Sequence, residues 1–197
     1  MKQFSLIAAA VLGMSLTVVR AADTYQIDPA HSTIGFSVAH LVISDVKGRF
    51  NEFEGTVEMD GDKLTAIKGT IQAKSIDTGI AKRDDHLRSP DFFDVAKRPA
   101  ITFASTKIET RDGKAVITGQ FTMHGVTKEI SAPARVKGPI TDPWGKQRVG
   151  LKATLSINRK DYGLTWNKAM ETGGLMVGEE VEIEINAEAV KQDAAVK

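Results

Sequence analysis

The chain has 197 residues, 42% of them hydrophobic, with no cysteine and a formal net charge of +1. That size suits one domain with its own core. The lack of cysteine removes disulfides and thiolate metal sites, and a balanced charge without any Lys/Arg run speaks against nucleic-acid binding. The first element, in chain order, is Met1-Lys2-Gln3, then a mostly apolar run from Phe4 to Val19, then small residues at Ala21-Ala22. This is the layout of a secretory signal peptide, and the run is short of the roughly 20 residues that span a bilayer. The reading is a cleaved segment over 1–21, with the mature chain starting at Ala22 or Asp23. Loss of Lys2 and Arg20 takes the formal charge from +1 to −1. In a bacterial cell the product is periplasmic or secreted, with no spanning segment left.

The mature chain alternates with a period of two nearly throughout, which predicts strands. Ile34, Phe36, Val38 and His40 share one face, and Leu41 to Phe50 reads as continued extension with a bend at Gly48. Phe53, Gly55, Val57 and Met59 follow, then a turn at Asp60-Gly61-Asp62, then Ile67, Gly69, Ile71 and Ala73. After an interruption come Ile101 and Phe103, a turn at Arg111-Asp112-Gly113, and Ile117, Gly119, Phe121 and Met123. His124-Gly125 makes a tight corner before Val126, Ile130, Ala132, Ala134 and Val136. Residues 138–146 read as a loop, ahead of Val149, Leu151, Ala153, Leu155 and Ile157. Asn158 to Thr165 reads as a second short turn or helical segment ending at Trp166, and the last strand carries Val177, Val181, Ile183, Ile185 and Ala187. A disordered tail is expected over 191–197.

The interruption is residues 83–94, Arg-Asp-Asp-His-Leu-Arg-Ser-Pro-Asp-Phe-Phe-Asp. Asp84 and Asp85 suit the first turn of a helix, and Pro90 restricts Ser89 and fits poorly inside one. One or two helical turns should therefore break near Ser89, and Leu87, Phe92 and Phe93 must then be buried, with the open end of a barrel as the natural place. About eight antiparallel strands, each with one apolar face, need a shared interior. The expected fold is all-β: a single antiparallel β-barrel over 22–190 with one or two short helical inserts. Small inward residues (Gly55, Gly69, Ala73, Gly119, Ala132, Ala134, Ala153) leave room in a barrel wide enough for one small ligand.

Catalytic signatures are scarce. No nucleophile elbow, P-loop, His-Glu-x-x-His helix or Gly-x-Gly-x-x-Gly turn occurs. His31, His40, His86 and His124 lack metal-ligand spacing and read as hydrogen-bonded structural groups, His40 being of most interest because it continues an inward face. Asp28 with His31, and Asp85 with His86, are the acid–base or ligand pairs one could draw; neither is assigned. Arg83, Arg88 and Arg159 lie in or near the two inserts, placed either to hold those inserts to the rim or to grip a polar headgroup.

Several stretches together resemble the YceI-like family: Asp28-x-x-His-Ser-x-Ile-x-Phe-x-Val-x-His-Leu, Thr78-Gly79, the Arg83 to Asp94 segment, Phe121-Thr-Met-His-Gly-Val-Thr, Asp142-x-Trp-Gly, and Asn158-Arg-x-Asp-Tyr-Gly-Leu-x-Trp-Asn. They run in order from about Tyr25 to Ala189, departing only at Tyr162, where phenylalanine is usual. The resemblance implies an exported bacterial protein with a lipocalin-like barrel whose cavity holds a polyisoprenoid or similar long-chain lipid, often as a homodimer. It implies no catalytic residue, cofactor or metal. On this reading Phe36, Val38, Phe121, Met123, Leu155 and Trp166 contact an apolar chain, Leu87, Phe92 and Phe93 close one end, His40 points towards the interior, and Arg83, His86 or Arg88 lies near the head. The alternatives are an enzyme acting on such a lipid, with His40 or His86 as base, and an interaction domain with a filled core.

Overall fold

The computed structural model describes residues 22–41, 43–111, 114–169 and 175–193. The signal segment, the turn at Asp112-Gly113 and residues 194–197 of the expected tail lie outside them. Eleven strands form one antiparallel sheet: β1 (Asp23–Ile27), β2 (Thr33–His40), β3 (Ser44–Phe50), β4 (Phe53–Asp60), β5 (Lys63–Gln72), β6 (Ile76–Asp77), β7 (Ala100–Arg111), β8 (Lys114–Met123), β9 (Val126–Thr141), β10 (Gln147–Asn158) and β11 (Val177–Lys191). One helix, α1 (Ala81–Arg88), sits between β6 and β7. The bonded order β1-β4-β5-β7-β8-β9-β10-β11 returns to β1, so eight strands close a lipocalin-like barrel, while β2, β3 and β6 continue from β11.

The three additional strands are the upper parts of broken long ones. β1 pairs with the end of β11 (Tyr25 opposite Lys191) and β2 with its earlier part (Ile34 opposite Ile185). Between them Pro29–His31 make a short 3₁₀ turn, with the Asp28 carboxylate accepting the Ala30 N–H. β3 runs on into β4, and β5 passes through a second 3₁₀ turn, Ala73–Ser75, into β6, which pairs with β3. The strand alternation in the sequence thus corresponds to eight long strands, three of them interrupted.

Two local readings are corrected. The chain does not stay extended beyond His40: it reverses between His40 and Ser44, with Leu41 at φ 54 and the Ile43 N–H bonded to the His40 carbonyl. Gly48 is then no bend but a strand residue opposite Phe36, where a β-carbon would stand 2.4 Å from the Phe36 ring. The loop expected over 138–146 is shorter, because β9 continues through Gly138-Pro139 to Thr141. Ile140 faces Arg148 and Lys137 faces Gly150, so two β9 residues oppose one on β10. That bulge accommodates a proline with no N–H to give the ladder. At the chain's end, β11 includes Lys191, and the Gln192 N–H reaches the Thr24 carbonyl.

Two apolar clusters fill the barrel's ends. Tyr25, Val57, Met59, Leu64, Val149 and Ala189 pack at the end carrying the β4–β5, β7–β8 and β9–β10 connections. Phe50, Ile76, Ile101, Phe121, Tyr162 and Leu164 pack at the other end, beneath α1 and the segment between β10 and β11. No helix among the described residues is long and apolar enough to cross a membrane.

Candidate functional site

Between the two clusters lies a cavity of about 250 Å³, well above the roughly 10–15 Å³ that one water needs, so it is no packing flaw. Its wall is almost wholly apolar: Ile34, Phe36, Val38, Phe53, Ile71, Ile101, Ile130, Ala153, Leu155, Val181 and Ile183 all contribute. Several of these, Phe36, Val38, Ile71, Leu155 and Ile183 among them, point inward yet stay only partly buried. Inward alternation and incomplete burial together mean that the side chains face a space rather than one another.

The small inward residues divide into two groups. Gly69, Ala132 and Ala153 line the cavity as expected; Gly55 lines it too, but a β-carbon there would stand 2.5 Å from the Lys68 carbonyl. Gly119 does not open space for a ligand, because a β-carbon there would stand 2.6 Å from the Phe103 ring, and Ala73 and Ala134 are buried in the packed clusters. Gly48 and Gly119 each give their missing side chain's volume to a neighbouring ring.

The insert covers one end of the barrel. α1 ends at Ser89, whose hydroxyl and N–H both donate to the His86 carbonyl. The chain then folds back so that Phe93, Asp94 and Val95 donate N–H bonds to Leu87, Ser89 and Arg88 carbonyls. This return turns Leu87, Phe92 and Phe93 onto the cavity. Phe93 meets Phe50 edge-on at 6.0 Å, while Phe92 packs at 5.1 Å from Trp166.

Polar side chains fasten the insert. Arg83 donates through Nε to the Thr78 hydroxyl (2.7 Å) and through Nη2 to the Thr78 carbonyl (2.8 Å). Arg88 donates to the Lys74 and Ile76 carbonyls at 2.7 and 2.8 Å. Asp84 is buried and accepts the Thr78 N–H at 2.9 Å. Arg98 spans Asp94 and His124 Nε2, each at 3.0 Å. His124 Nδ1 lies 2.9 Å from the Tyr162 carbonyl, which can only accept, so Nδ1 carries the proton and Nε2 accepts from Arg98.

Of the residues singled out from sequence, Phe36, Val38, Leu87, Phe92, Phe93, Phe121, Met123 and Leu155 line the cavity. His40, Arg83, His86, Arg88 and Trp166 are not among its lining residues. His40 ends β2, opposite Ser44 and Val177, past the enclosed part of the face it continues. His86 bonds to Asp91 at 3.0 Å on the outer side of the insert, and Trp166 packs against its ring at 4.9 Å. Arg83 and Arg88 are committed to backbone carbonyls. Among the arginines, the one that does reach the wall is Arg159, which sequence reasoning grouped with the rim arginines without separating it. It is 3% exposed, and burial pushes its pKa down, with Glu179 opposing.

At the far end a second polar cluster joins chain segments distant in sequence. Arg148 bonds to Asp142 and Glu188, each at 2.6 Å, and to Asp28 at 3.2 Å, while Asp28 also meets His31 at 2.8 Å. The His31 bond is the first cause that lowers the Asp28 pKa, and the Arg148 bond the first that lowers that of Asp142. Asp28, His31 and Glu188 bring three potential ligand atoms together, but the guanidinium already occupies the space between the two carboxylates.

The YceI-like domain family matches residues 25–189. A UPF0312 protein of Pseudomonas paraeruginosa is 38% identical over 193 residues, covering 94% of this chain and 97% of its own. A Campylobacter jejuni YceI protein of known structure is 26% identical, with a TM-score of 0.67 over 98% of this chain and 100% of that one. A polyisoprenoid-binding domain from Saccharophagus degradans, implicated in plant cell wall breakdown, superposes with a TM-score of 0.66 over 85% of this chain and 98% of its own. At 17% identity that likeness is one of fold. With the family match running from β1 into the last turns of β11, over the barrel just described, the chain belongs to the YceI-like family.

Proposed function

We propose that this protein is an exported carrier or storage protein that holds a polyisoprenoid or similar long-chain apolar lipid inside its barrel. The observation that carries the reading is the apolar cavity whose inward side chains remain only partly buried. Each isoprene unit has five carbons, so its burial is worth roughly 3–4 kcal/mol gross at about 0.8 kcal/mol per carbon. Ordering a flexible chain takes back a large part, and several units still leave a surplus. Binding domains of the same fold, such as the one from Saccharophagus degradans, support the ligand class. The amino-terminal segment supports export to the periplasm by cleavage, where a lipid needs cover to cross water.

The proposal includes no catalytic step. No histidine lies among the residues lining the cavity; of the two bases named for an isoprenoid-modifying enzyme, His86 is bonded to Asp91 outside it and His40 ends β2. Mass spectrometry of an organic extract of protein purified from the periplasm tests the reading. A long-chain lipid in stoichiometric amount is expected, together with an intact mass beginning at Ala22 or Asp23. Repeated extraction without lipid, and no uptake of added polyprenol, would overturn it.

A further inference from the structure

Arg159 is an ion buried in the wall of an apolar cavity, and no carboxylate among the described residues pairs with it. Its guanidinium donates from Nε to the Gly178 carbonyl at 2.8 Å, and from Nη1 to the Leu164 and Trp166 carbonyls at 2.6 and 2.9 Å. Nη2 has one long contact, 3.4 Å to the Val177 carbonyl. A guanidinium has five N–H groups, so one on Nη2 is left without a protein acceptor among the described residues. Arg159 forms no ion pair there either. Glu179, the acid that acts on it electrostatically, gives its oxygens to Lys160 and Asn158.

Two insert arginines provide the contrast, while Arg83, held like Arg159 by neutral oxygens, is not among the residues lining the cavity. Arg88 pairs with Asp85, and Arg98 with Asp94. Arg148, at the far end, meets three carboxylates. Arg159 is the most deeply buried of these, and it is the one that lines the cavity. Neutral carbonyls hold the group in place but leave its full charge beside a space that apolar walls keep dry, where an opposite charge is attracted far more strongly than in water.

We propose that Arg159 is the head-group residue of the cavity, selecting apolar chains that end in an ionised acid, a carboxylate or phosphate, over the same chains ending in an alcohol. The assignment rests on the lipid-binding reading above and adds the polarity of the ligand's end. It also gives the head a place inside the barrel, under the β10–β11 connection, rather than beside Arg83, His86 or Arg88. The acid accepts the free Nη2 hydrogen and supplies the missing negative charge, while its chain runs away from Arg159 along the apolar wall.

Chain-matched probes test this: geranylgeranoic acid and geranylgeranyl phosphate against geranylgeraniol, titrated at pH 8 by calorimetry into delipidated protein. A charge-assisted bond of this kind corresponds to roughly a 10- to 100-fold preference for the acid. The two acids, compared with each other, show whether the head is a carboxylate or a phosphate. The preference, read as the ratio of acid to alcohol affinity within each variant, should collapse in Arg159→Met and persist in part in Arg159→Lys. If Arg159→Met does not fold, the wild-type comparison stands alone: equal affinity for both acids and the alcohol overturns the proposal while leaving lipid binding intact. Binding of none of the three would instead remove the lipid-binding reading itself.

Discussion

At the rim where β4 meets β5 and β9 meets β10, the barrel is stopped by side chains of its own strands. Tyr25 and Met59 are fully buried there, packed on Val57, Leu64 and Val149. At the opposite rim the stopper is a separate piece of chain, α1 and its return, carrying Leu87, Phe92 and Phe93 inward and held by Arg83, Arg88, Arg98 and Asp84. The first end is held by packing that cannot be undone without opening the sheet. The second is held by the packing of Leu87, Phe92 and Phe93 together with a finite set of polar bonds to backbone and side-chain groups. Under the proposed function, the packed end would serve as wall and the insert end as door.

The difference can be broken most strongly at the wall. Met59→Ala should cost about 2–5 kcal/mol of stability through the cavity it leaves in a packed region, measured by denaturant unfolding. Lipid content per folded molecule should stay constant; a selective loss of lipid would mean that the binding space extends to this end. At the door, Asp84→Ala leaves the Thr78 N–H without its buried acceptor and should cost about 1–3 kcal/mol. Its characteristic effect should be faster exchange of a fluorescent polyprenol, and an unchanged exchange rate would show that the insert is not the gate.

Ala153→Phe sharpens the contrast with the least damage. Ala153 lines the cavity and is partly buried, so an added ring occupies ligand space. Lipid retention should fall sharply while stability changes by less than about 1 kcal/mol. A loss of roughly 1–3 kcal/mol, the ordinary cost of overpacking, would show a filled core at this position. The smallest effect is acid sensitivity at the wall. The folded-state pKa values of Asp28 and Asp142 are depressed, first by His31 and first by Arg148 respectively. Their contribution is therefore fully present above the unfolded carboxyl value near pH 4 and is lost as pH falls through the lower folded values. The melting temperature should hold from pH 8 to 5 and drop below about pH 4, with a shallower drop in Arg148→Gln. An equally steep acid limb in that variant would place the sensitivity elsewhere.

Strands were the most legible part of the chain, because a barrel with one apolar interior forces period-two patterning onto each of them. That pattern named Phe36, Val38, Phe121, Met123 and Leu155 as inward-facing, and it extends without new information to Ile71, Ile130 and Ile183. The break of the insert at Ser89 was legible for the same local reason, in Ser89-Pro90. The reversal after His40 was not, since the stretch from Leu41 to Ile43 contains none of the residues that turns favour, and Leu41 takes a left-handed conformation that only its neighbours' pairing explains. Nor could sequence rank the arginines. Which cation reaches the cavity depends on the paths of β10 and β11 around Arg159, and the fate of the glycine space depends on rings, Phe36 and Phe103, that lie on other strands.

The closure of the ring has a consequence for how the molecule is made. β11 is the shared partner of β10, β1 and β2, so a nascent chain that ends before Val177 has three bare edges and no barrel. Tyr25 must wait for Lys191, and contacts this distant in sequence form late and slowly. Until the last strand arrives, the inner face is an open apolar sheet with edges able to pair with other chains. A protein with this topology is suited to leaving the ribosome unfolded and completing itself only after its whole length has been delivered. Trimming a few residues from β11 should therefore cost it the fold, whereas the outer ends of β1 and β11, side by side at one rim, are natural points at which to join and recut the chain.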